Sequence, residues 1–288
     1  MPEKGDESMS CIPGISSICL ADLPEGFRST LEKSLSFSWV VDKSQWLLLT
    51  SFYELDTKAT EVLQTRLPIP VYTVGPSIPH MTLKDATDSN DDYMKWLDSQ
   101  SKGSVLYVSL GSFLSVSDAQ MDEIVEGFHD SGIPFLWVAR QDSSRLQKAC
   151  GDKGMVIPWC DQLRVLCHSS VGGFFTHCGW NSILEAVFAG VPLLAFPLLW
   201  DQIPNCKFIA DDLRIGWRVK KEVGIDKLVT REDIARTVMS FMDSNEEESK
   251  EMRRRAKELQ DACRRAIEKG GSSESNLDAF VREILQHH

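Results

Sequence analysis

The sequence predicts an α/β protein whose main body is a parallel sheet covered by helices on both faces. Three observations lead there. From about residue 70 onward, strand-like and helix-like segments alternate. The strand-like runs, such as SVLYVSL (104–110) and VGGFFT (171–176), are apolar throughout instead of on alternate residues. That is the pattern of strands buried on both faces. Glycine and capping residues mark the joints, with Gly111-Ser112 after one strand and Gly190 after one helix.

The elements follow in order. Strand 104–110 leads to a helix, SDAQMDEIVEGFHDSG, with Met121, Ile124, Val125 and Phe128 at helical spacing and Ser117 or Asp118 as its cap. Strand PFLWVA (134–139), a short strand at 154–157 and strand 171–176 come next. Helix NSILEAVFA (181–189), strand VPLLAF (191–196), helix DQIPNCKFIADDL (201–213) and strand IGWRV (215–219) continue the alternation. Three amphipathic helices, 230–242, 246–268 and 276–286, close the chain. Leu277, Phe280, Val281, Ile284 and Leu285 form the apolar face of the last, and Asn276 is a candidate cap. Arg253-Arg254-Arg255 stands among glutamates and reads as a solvated helix face, with a polyanion site as the alternative.

The first 76 residues read as a separate piece. A helix at 28–43, a strand WLLLTS (46–51), a helix at 54–65 and a strand PVYTVGP (70–76) make about one and a half strand–helix units. That is too little to cover a parallel sheet on both faces. Residues 77–92, SIPHMTLKDATDSNDD, read as a linker, which leaves 93–288 as a complete second domain whose last helix packs back toward the N-terminal part. The strand at 46–51 then presents an edge that favours self-association.

Composition narrows the function. The net charge of -11 argues against nucleic-acid binding, which rests on phosphate neutralisation by Lys and Arg. A helix N-terminus still holds a phosphate locally whatever the net charge. The eight cysteines include no C-x-x-C pair and no zinc spacing, so no metal is expected, and a reducing, cytoplasmic setting is. The opening MPEKGDESMS is polar and unlike a signal peptide. VPLLAFPLLW (191–200) is far short of the roughly 20 residues a membrane span needs.

The most informative stretch is 159–202, WCDQLRVLCHSSVGGFFTHCGWNSILEAVFAGVPLLAFPLLWDQ. Trp159 follows strand 154–157 at a carboxyl edge, where parallel sheets bind ligands. An indole there either stacks a nucleobase or belongs to the core. His177-Cys178-Gly179-Trp180 joins a strand to a helix whose first N–H groups lack intrahelical partners. With the helix dipole they make an anion cradle. Asn181 and Ser182 read equally as ligand donors or plain caps. Glu185 lies four residues after Asn181, on the same helix face. It either binds hydroxyls or is an ordinary exposed glutamate. Asp201 and Gln202 open the next helix and are able to bracket vicinal hydroxyls. Ser112 is a phosphate contact or a turn residue. No G-x-G-x-x-G or Walker loop is present.

This stretch resembles the 44-residue signature box of plant family 1 UDP-glycosyltransferases without a gap. Trp159, Gln162, His168, HCGWNS (177–182), Glu185, Gly190-Val191-Pro192, Pro197 and Asp201-Gln202 carry the likeness. VLYVSLGS (105–112) and PFLWVAR extend it over essentially the whole chain. The resemblance implies a GT-B fold: a complete C-terminal Rossmann-like domain, 93–288, with a remnant of the N-terminal acceptor-side domain, 1–76. It implies that Trp159 stacks uracil, that the Cys160 backbone pairs with the uracil edge, and that Gln162 and Glu185 hold the ribose. It further implies that Ser112, His177, Gly179, Asn181 and Ser182 hold the diphosphate, while Trp180, Asp201 and Gln202 hold the hexose, with glucose favoured by the closing glutamine. The donor is a substrate, UDP-glucose, and no cofactor is expected. The second substrate is a small-molecule hydroxyl acceptor, glycosylated with inversion.

The family's base is a histidine near its N-terminus, and none of the six histidines here has its context, so no catalytic residue is assigned. About one ordinary domain (~100–200 residues) is expected to lie outside this chain. Three readings follow: a transferase represented by a truncated chain, a nucleotide-sugar-binding pseudo-enzyme or module, and an unrelated Rossmann-like binder. UDP affinity without NAD affinity eliminates the third.

Overall fold

The computed structural model describes residues 41, 43–84, 91–111, 116–139, 143–219 and 228–286. These fall into two compact units, one reaching to Ile78 and resuming at Leu259, the other Pro79–Glu258.

The second unit holds a six-stranded parallel sheet. Its strands are β3 (Val105–Ser109), β4 (Phe135–Val138), β5 (Gly154–Ile157), β6 (Val171–Thr176), β7 (Leu193–Ala195) and β8 (Gly216–Arg218), in the order β5-β4-β3-β6-β7-β8. Every residue of β3 and β6 is buried, which accounts for their unbroken apolar runs. The chain winds one way from β3 through β4 to β5 and the other way from β6 to β8. The order reverses between β3 and β6, the kind of position where open α/β sheets form a binding crevice.

Helix α3 (Asp118–Ser131) is capped by Ser117, whose side chain accepts from Gln120 N, and ends at Gly132 in the left-handed conformation. Phe128 of this helix meets Phe175 edge-on at 5.0 Å and Phe135 at 5.3 Å, anchoring it to the sheet. Helix α8 (Arg231–Met242) packs beside α3. Gln120 Nε2 donates to Val229 O at 3.0 Å and Gln120 Oε1 accepts Val229 N at 2.8 Å, a two-point clasp just before α8. Three further helices of this unit were not legible in the sequence: α2 (Asp92–Asp98), α4 (Ser143–Cys150) and α5 (Gln162–Leu166).

Several boundaries differ from expectation. The stretch expected as a linker contains a 3-10 helix, His80–Lys84, and Asp92 already begins α2. The expected single helix over 201–213 is α7 (Gln202–Lys207) continuing into a π-helix, Phe208–Leu213. Of the expected first helix, 28–40 lies outside the described residues.

The Arg253–Arg255 run is not uniformly solvated. Its helix, α9, spans Glu247–Ile267. Arg253 turns inward and donates to Gly172 O and, at 3.0 Å, to Phe241 O, so its guanidinium pairs with two backbone carbonyls and not with solvent. Arg254 and Arg255 do pair with Glu251 one turn back, and Arg254 also with Glu258.

In the first unit, β1 (Leu47–Leu49) and β2 (Val71–Thr73) form a two-stranded parallel sheet, with α1 (Thr57–Arg66) between them in sequence. Helix α10 (Ser272–Gln286) packs on it. Trp46 Nε1 and the Tyr72 hydroxyl donate to the two oxygens of Glu283, each at 2.5 Å. Asn276 is not a cap: α10 begins four residues earlier, and the Asn276 amide donates to Thr73 O and Oγ1 at 3.0 Å. Residues 259–286 thus group with the first unit and not with 93–258.

Candidate functional site

A cavity of ≈ 400 Å³ opens at the carboxyl ends of the central strands of the second unit. Its wall comes from four joints of the chain: Tyr107, Ser109 and Gly111 along and just after β3; Val138 at the end of β4; Trp159, Cys160 and Gln162 after β5; and His177 with Gly179 to Ser182 where β6 passes into helix α6 (Trp180–Ala189). The reversal of strand order brings these joints together.

On the β5 side, Trp159 is 64% exposed, so it presents its ring to the cavity and is not a core residue. Cys160 is buried beneath it. Asp161 caps the short helix α5 by accepting Arg164 N at 3.1 Å, and that cap fixes Gln162 in the first turn, facing inward.

On the β6 side, Gly179 is the N-cap of α6 and supplies no side-chain hydrogen bond. Neither Asn181 nor Ser182 acts as the cap; Ser182 Oγ instead accepts from Gln162 Nε2 and keeps its own proton to give. Asn181 is exposed and Ser182 half-buried, both on the cavity wall. The amide groups of that turn have no intrahelical acceptor, and the dipole adds a partial positive charge.

The His177 ring is gripped by two glycines. A Cβ on Gly111 would lie 2.8 Å from His177 Nε2, and one on Gly179 would lie 2.6 Å from the same atom. Gly111 also has φ +83, a conformation glycine tolerates best. Among the described residues, His177 Nδ1 is buried without a hydrogen-bond partner. Burial lowers the His177 pKa, opposed by the Ser109 backbone and the Asp201 carboxylate, which raise it.

Glu185 is half-buried, not the ordinary exposed glutamate. Its Oε2 accepts Gln162 Nε2, which also donates to Ser182 Oγ at 3.0 Å. Burial raises the Glu185 pKa, and the Gln162 hydrogen bond lowers it.

The structure brings Trp159, Cys160, Gln162, His177, Gly179, Trp180, Asn181 and Ser182 onto one cavity wall, with Glu185 bonded to Gln162 beside it. Asp201 and Gln202 do not line this cavity. Gln202 is 6% exposed and spends Oε1 on the preceding loop, while Asp201 accepts Asn205 Nδ2 at 2.9 Å. Asn205 also donates to Cys178 O at 3.0 Å, which ties α7 to the joint after β6. Ser112 lies outside the described residues. Sequence reasoning missed Tyr107 and Ser109, because an apolar-run strand reads as core; the polar tip of Tyr107 was the available signal. Among the described residues, no group of three or more His, Cys, Asp or Glu is placed to hold a metal ion. No helix among them is long and apolar enough to cross a membrane.

A parallel α/β sheet with a cavity at its switch point, faced by an exposed indole and a helix N-terminus, is the kind of architecture on which open α/β proteins bind ligands. The chain belongs to the UDP-glucoronosyl and UDP-glucosyl transferase family, whose model matches residues 57–253. UDP-glycosyltransferase 87A2 of Arabidopsis thaliana is 48% identical to it over 285 residues, a match covering 97% of this chain and 63% of that protein. UDP-glycosyltransferase 87A1 of the same plant is 46% identical, over 98% of this chain and 66% of that protein. The chain therefore spans about two thirds of the length of these relatives. Among solved structures, Phytolacca americana UGT2 complexed with UDP-2fluoro-glucose and pterostilbene superposes with a TM-score of 0.83 at 32% identity, over 98% of this chain and 63% of that one. Os79 from O. sativa in complex with UDP gives a TM-score of 0.79 at 33% identity, over 90% and 60%. The fold of the family is GT-B, and the six-stranded parallel sheet is its Rossmann-like domain.

Proposed function

We propose that this chain binds a UDP-sugar donor, UDP-glucose in preference, in the cavity at the β3/β6 switch point. One observation carries the reading: an exposed indole, Trp159, and the open N-terminus of α6 face one ≈ 400 Å³ cavity. Such a space takes a nucleotide with its base on the ring and its phosphates on the helix end. Uracil stacks on Trp159 with its edge on the Cys160 backbone. Gln162 and Glu185 take the ribose hydroxyls. The diphosphate lies on the first turn of α6 with His177, Asn181, Ser182 and, after β3, Ser112. Trp180 on the wall serves the hexose, together with Asp201 and Gln202, which stand outside the wall at the start of α7, so the sugar end of the donor extends beyond the cavity. No cofactor enters this scheme. Solved relatives hold UDP, or UDP-2fluoro-glucose with pterostilbene, which supports a UDP-sugar and a small-molecule acceptor as the substrate pair; inverting transfer to a hydroxyl of that acceptor is part of the proposal.

We further propose that transfer by this chain alone is weak. The described histidines outside the cavity are otherwise engaged: His168 with Asp98 and Ser170, His80 against the Phe188 ring, His129 beside Asp130. His177 faces the phosphates in this scheme. A positioned base is worth roughly 10²–10⁴ in rate. The alternative, a binding module with no transferase role, predicts the same donor affinity, and only product formation on adding an acceptor-side domain separates the two. A cytoplasmic setting is part of this reading. Leu48, Leu277, Val281 and Leu285 are exposed in the first unit and support self-association there, measurable by light scattering at rising concentration.

Titration calorimetry with UDP, UDP-glucose and NAD tests the binding reading. UDP and UDP-glucose are expected to bind and NAD not to. Absence of UDP binding, or equal affinity for NAD, overturns it.

A further inference from the structure

Behind the cavity wall lies a chain of hydrogen bonds that runs in one direction. Tyr107, in the middle of β3 and 1% exposed, donates its hydroxyl to Gln162 Oε1 at 3.1 Å. The Tyr107 hydroxyl oxygen also lies 3.4 Å from Cys160 Sγ. A phenol has one proton to give. With that proton on Gln162, the Cys160 thiol is the donor to Tyr107. Burial raises the Cys160 pKa to about 11 and that of Tyr107 well above its ordinary value, so both groups keep their protons. At the far end, Gln162 Nε2 gives its protons to Ser182 Oγ and Glu185 Oε2. The order is thiol, phenol, amide, carboxylate.

A glutamine amide turned by 180° presents oxygen where nitrogen was. Here such a turn would set the amide oxygen against the Glu185 carboxylate, acceptor against acceptor, and would take from the Tyr107 proton the oxygen it now meets. We infer that Tyr107 is a positioning residue for the ribose end of the site: it locks the Gln162 amide and, through it, the Glu185 carboxylate in the orientation that receives the ribose hydroxyls. Tyr107 belongs to a strand and its hydroxyl lies at the cavity floor, so it acts through Gln162. The inference rests on the UDP-binding reading above.

The test compares wild type and Tyr107→Phe by calorimetry, with UDP and with 2′,3′-dideoxy-UDP. The variant removes one oxygen and keeps the ring that packs on Phe174 at 4.9 Å. UDP affinity is expected to fall about 10-fold, the scale of one well-placed hydrogen bond. Affinity for the dideoxy nucleotide is expected to stay within about twofold, since it lacks the hydroxyls that the dyad serves. Equal losses for both nucleotides overturn the inference while leaving the binding reading intact. Failure of wild type to bind UDP overturns both. The second comparison uses Gln162→Leu with and without Tyr107→Phe. The leucine background leaves no amide oxygen orphaned, so it serves even if Tyr107→Phe alone fails to fold. A residue that acts through Gln162 adds nothing once Gln162 is gone. Equal UDP affinity in the two leucine variants supports the inference, and a further loss on adding Tyr107→Phe sinks it.

Discussion

Gln202 Oε1 accepts the backbone N–H of Leu198 at 2.9 Å, and that of Leu199 at 3.1 Å. The side chain is thereby fixed by its oxygen, and what it has left to offer a hexose is its amide nitrogen, a donor. Gln202→Ala is expected to cost about 1–3 kcal/mol of stability, because it strips both N–H groups of their acceptor. Gln202→Glu keeps an acceptor for the loop and exchanges the donor for an acceptor. Wild type is expected to prefer UDP-glucose over UDP-galactose, and the glutamate variant to lose that preference at near-normal stability. Competition binding decides it, and an unchanged ratio would remove Gln202 from sugar selection.

Trp159 is exposed enough that removing its ring should leave the fold almost untouched. Trp159→Ala is expected to change stability by less than about 0.5 kcal/mol. UDP affinity is expected to fall by roughly 1–3 kcal/mol from lost stacking. Paired thermal melts and calorimetric titrations check both halves. A large fall in stability with intact UDP binding would return Trp159 to the core.

The grip on His177 yields a prediction with a built-in control. Gly111 and Gly132 both have positive φ, +83 and +66, but a Cβ on Gly132 meets nothing within 4 Å. Gly132→Ala measures the left-handed strain alone, about 1–2 kcal/mol. Gly111→Ala carries similar strain plus the displacement of the imidazole, so it should be the costlier of the two and should weaken UDP binding, whereas Gly132→Ala should not. Urea titrations and UDP calorimetry on both variants check this. Equal behaviour of the two would mean the ring yields freely.

Burial lowers the His177 pKa, so the folded chain favours the neutral ring. The unfolded chain protonates this histidine near 6.5. The stability that follows is present above that value and is lost as pH falls through the window below it, where the unfolded state binds the extra proton. An anion placed beside the ring raises its pKa again. UDP binding is therefore expected to take up protons as pH drops from about 7 toward 6, with affinity rising. Calorimetry in buffers of different ionisation enthalpy reads the uptake directly. Zero uptake in His177→Gln and uptake in wild type is the expected pair; equal uptake in both would move the phosphates away from this ring.

Much of this molecule is legible in its letters. The central strands announce themselves because burial on both faces demands an unbroken apolar run, and VGGFFT shows that directly. Ser117 and Gly190 likewise mark helix ends because their side-chain oxygen and left-handed backbone are local chemistry. What was not legible is set by distant partners. Asn276 reads as a cap on local grounds, yet its amide is claimed by Thr73, 203 residues away. Arg253 reads as solvated among its glutamates, yet it supplies protons to Gly172 O, 81 residues away. In the site, 159–182 could be read because its residues are contiguous. The part of Tyr107 could not, since it depends on where the sheet places β3 relative to α5.

The reversed winding of the sheet has a further consequence for redesign. The joints after β5 and those after β6 and β7 are on opposite arms of the crevice, so under the proposed function the base-facing and sugar-facing halves of the donor would be read by segments that share no backbone. In this scheme the two specificities are separable traits. Grafting a foreign 159–162 loop should retune the nucleobase while leaving the hexose choice alone, and exchanging 199–202 should do the converse. A transferase built this way can trade sugars over evolutionary time without renegotiating its hold on the nucleotide.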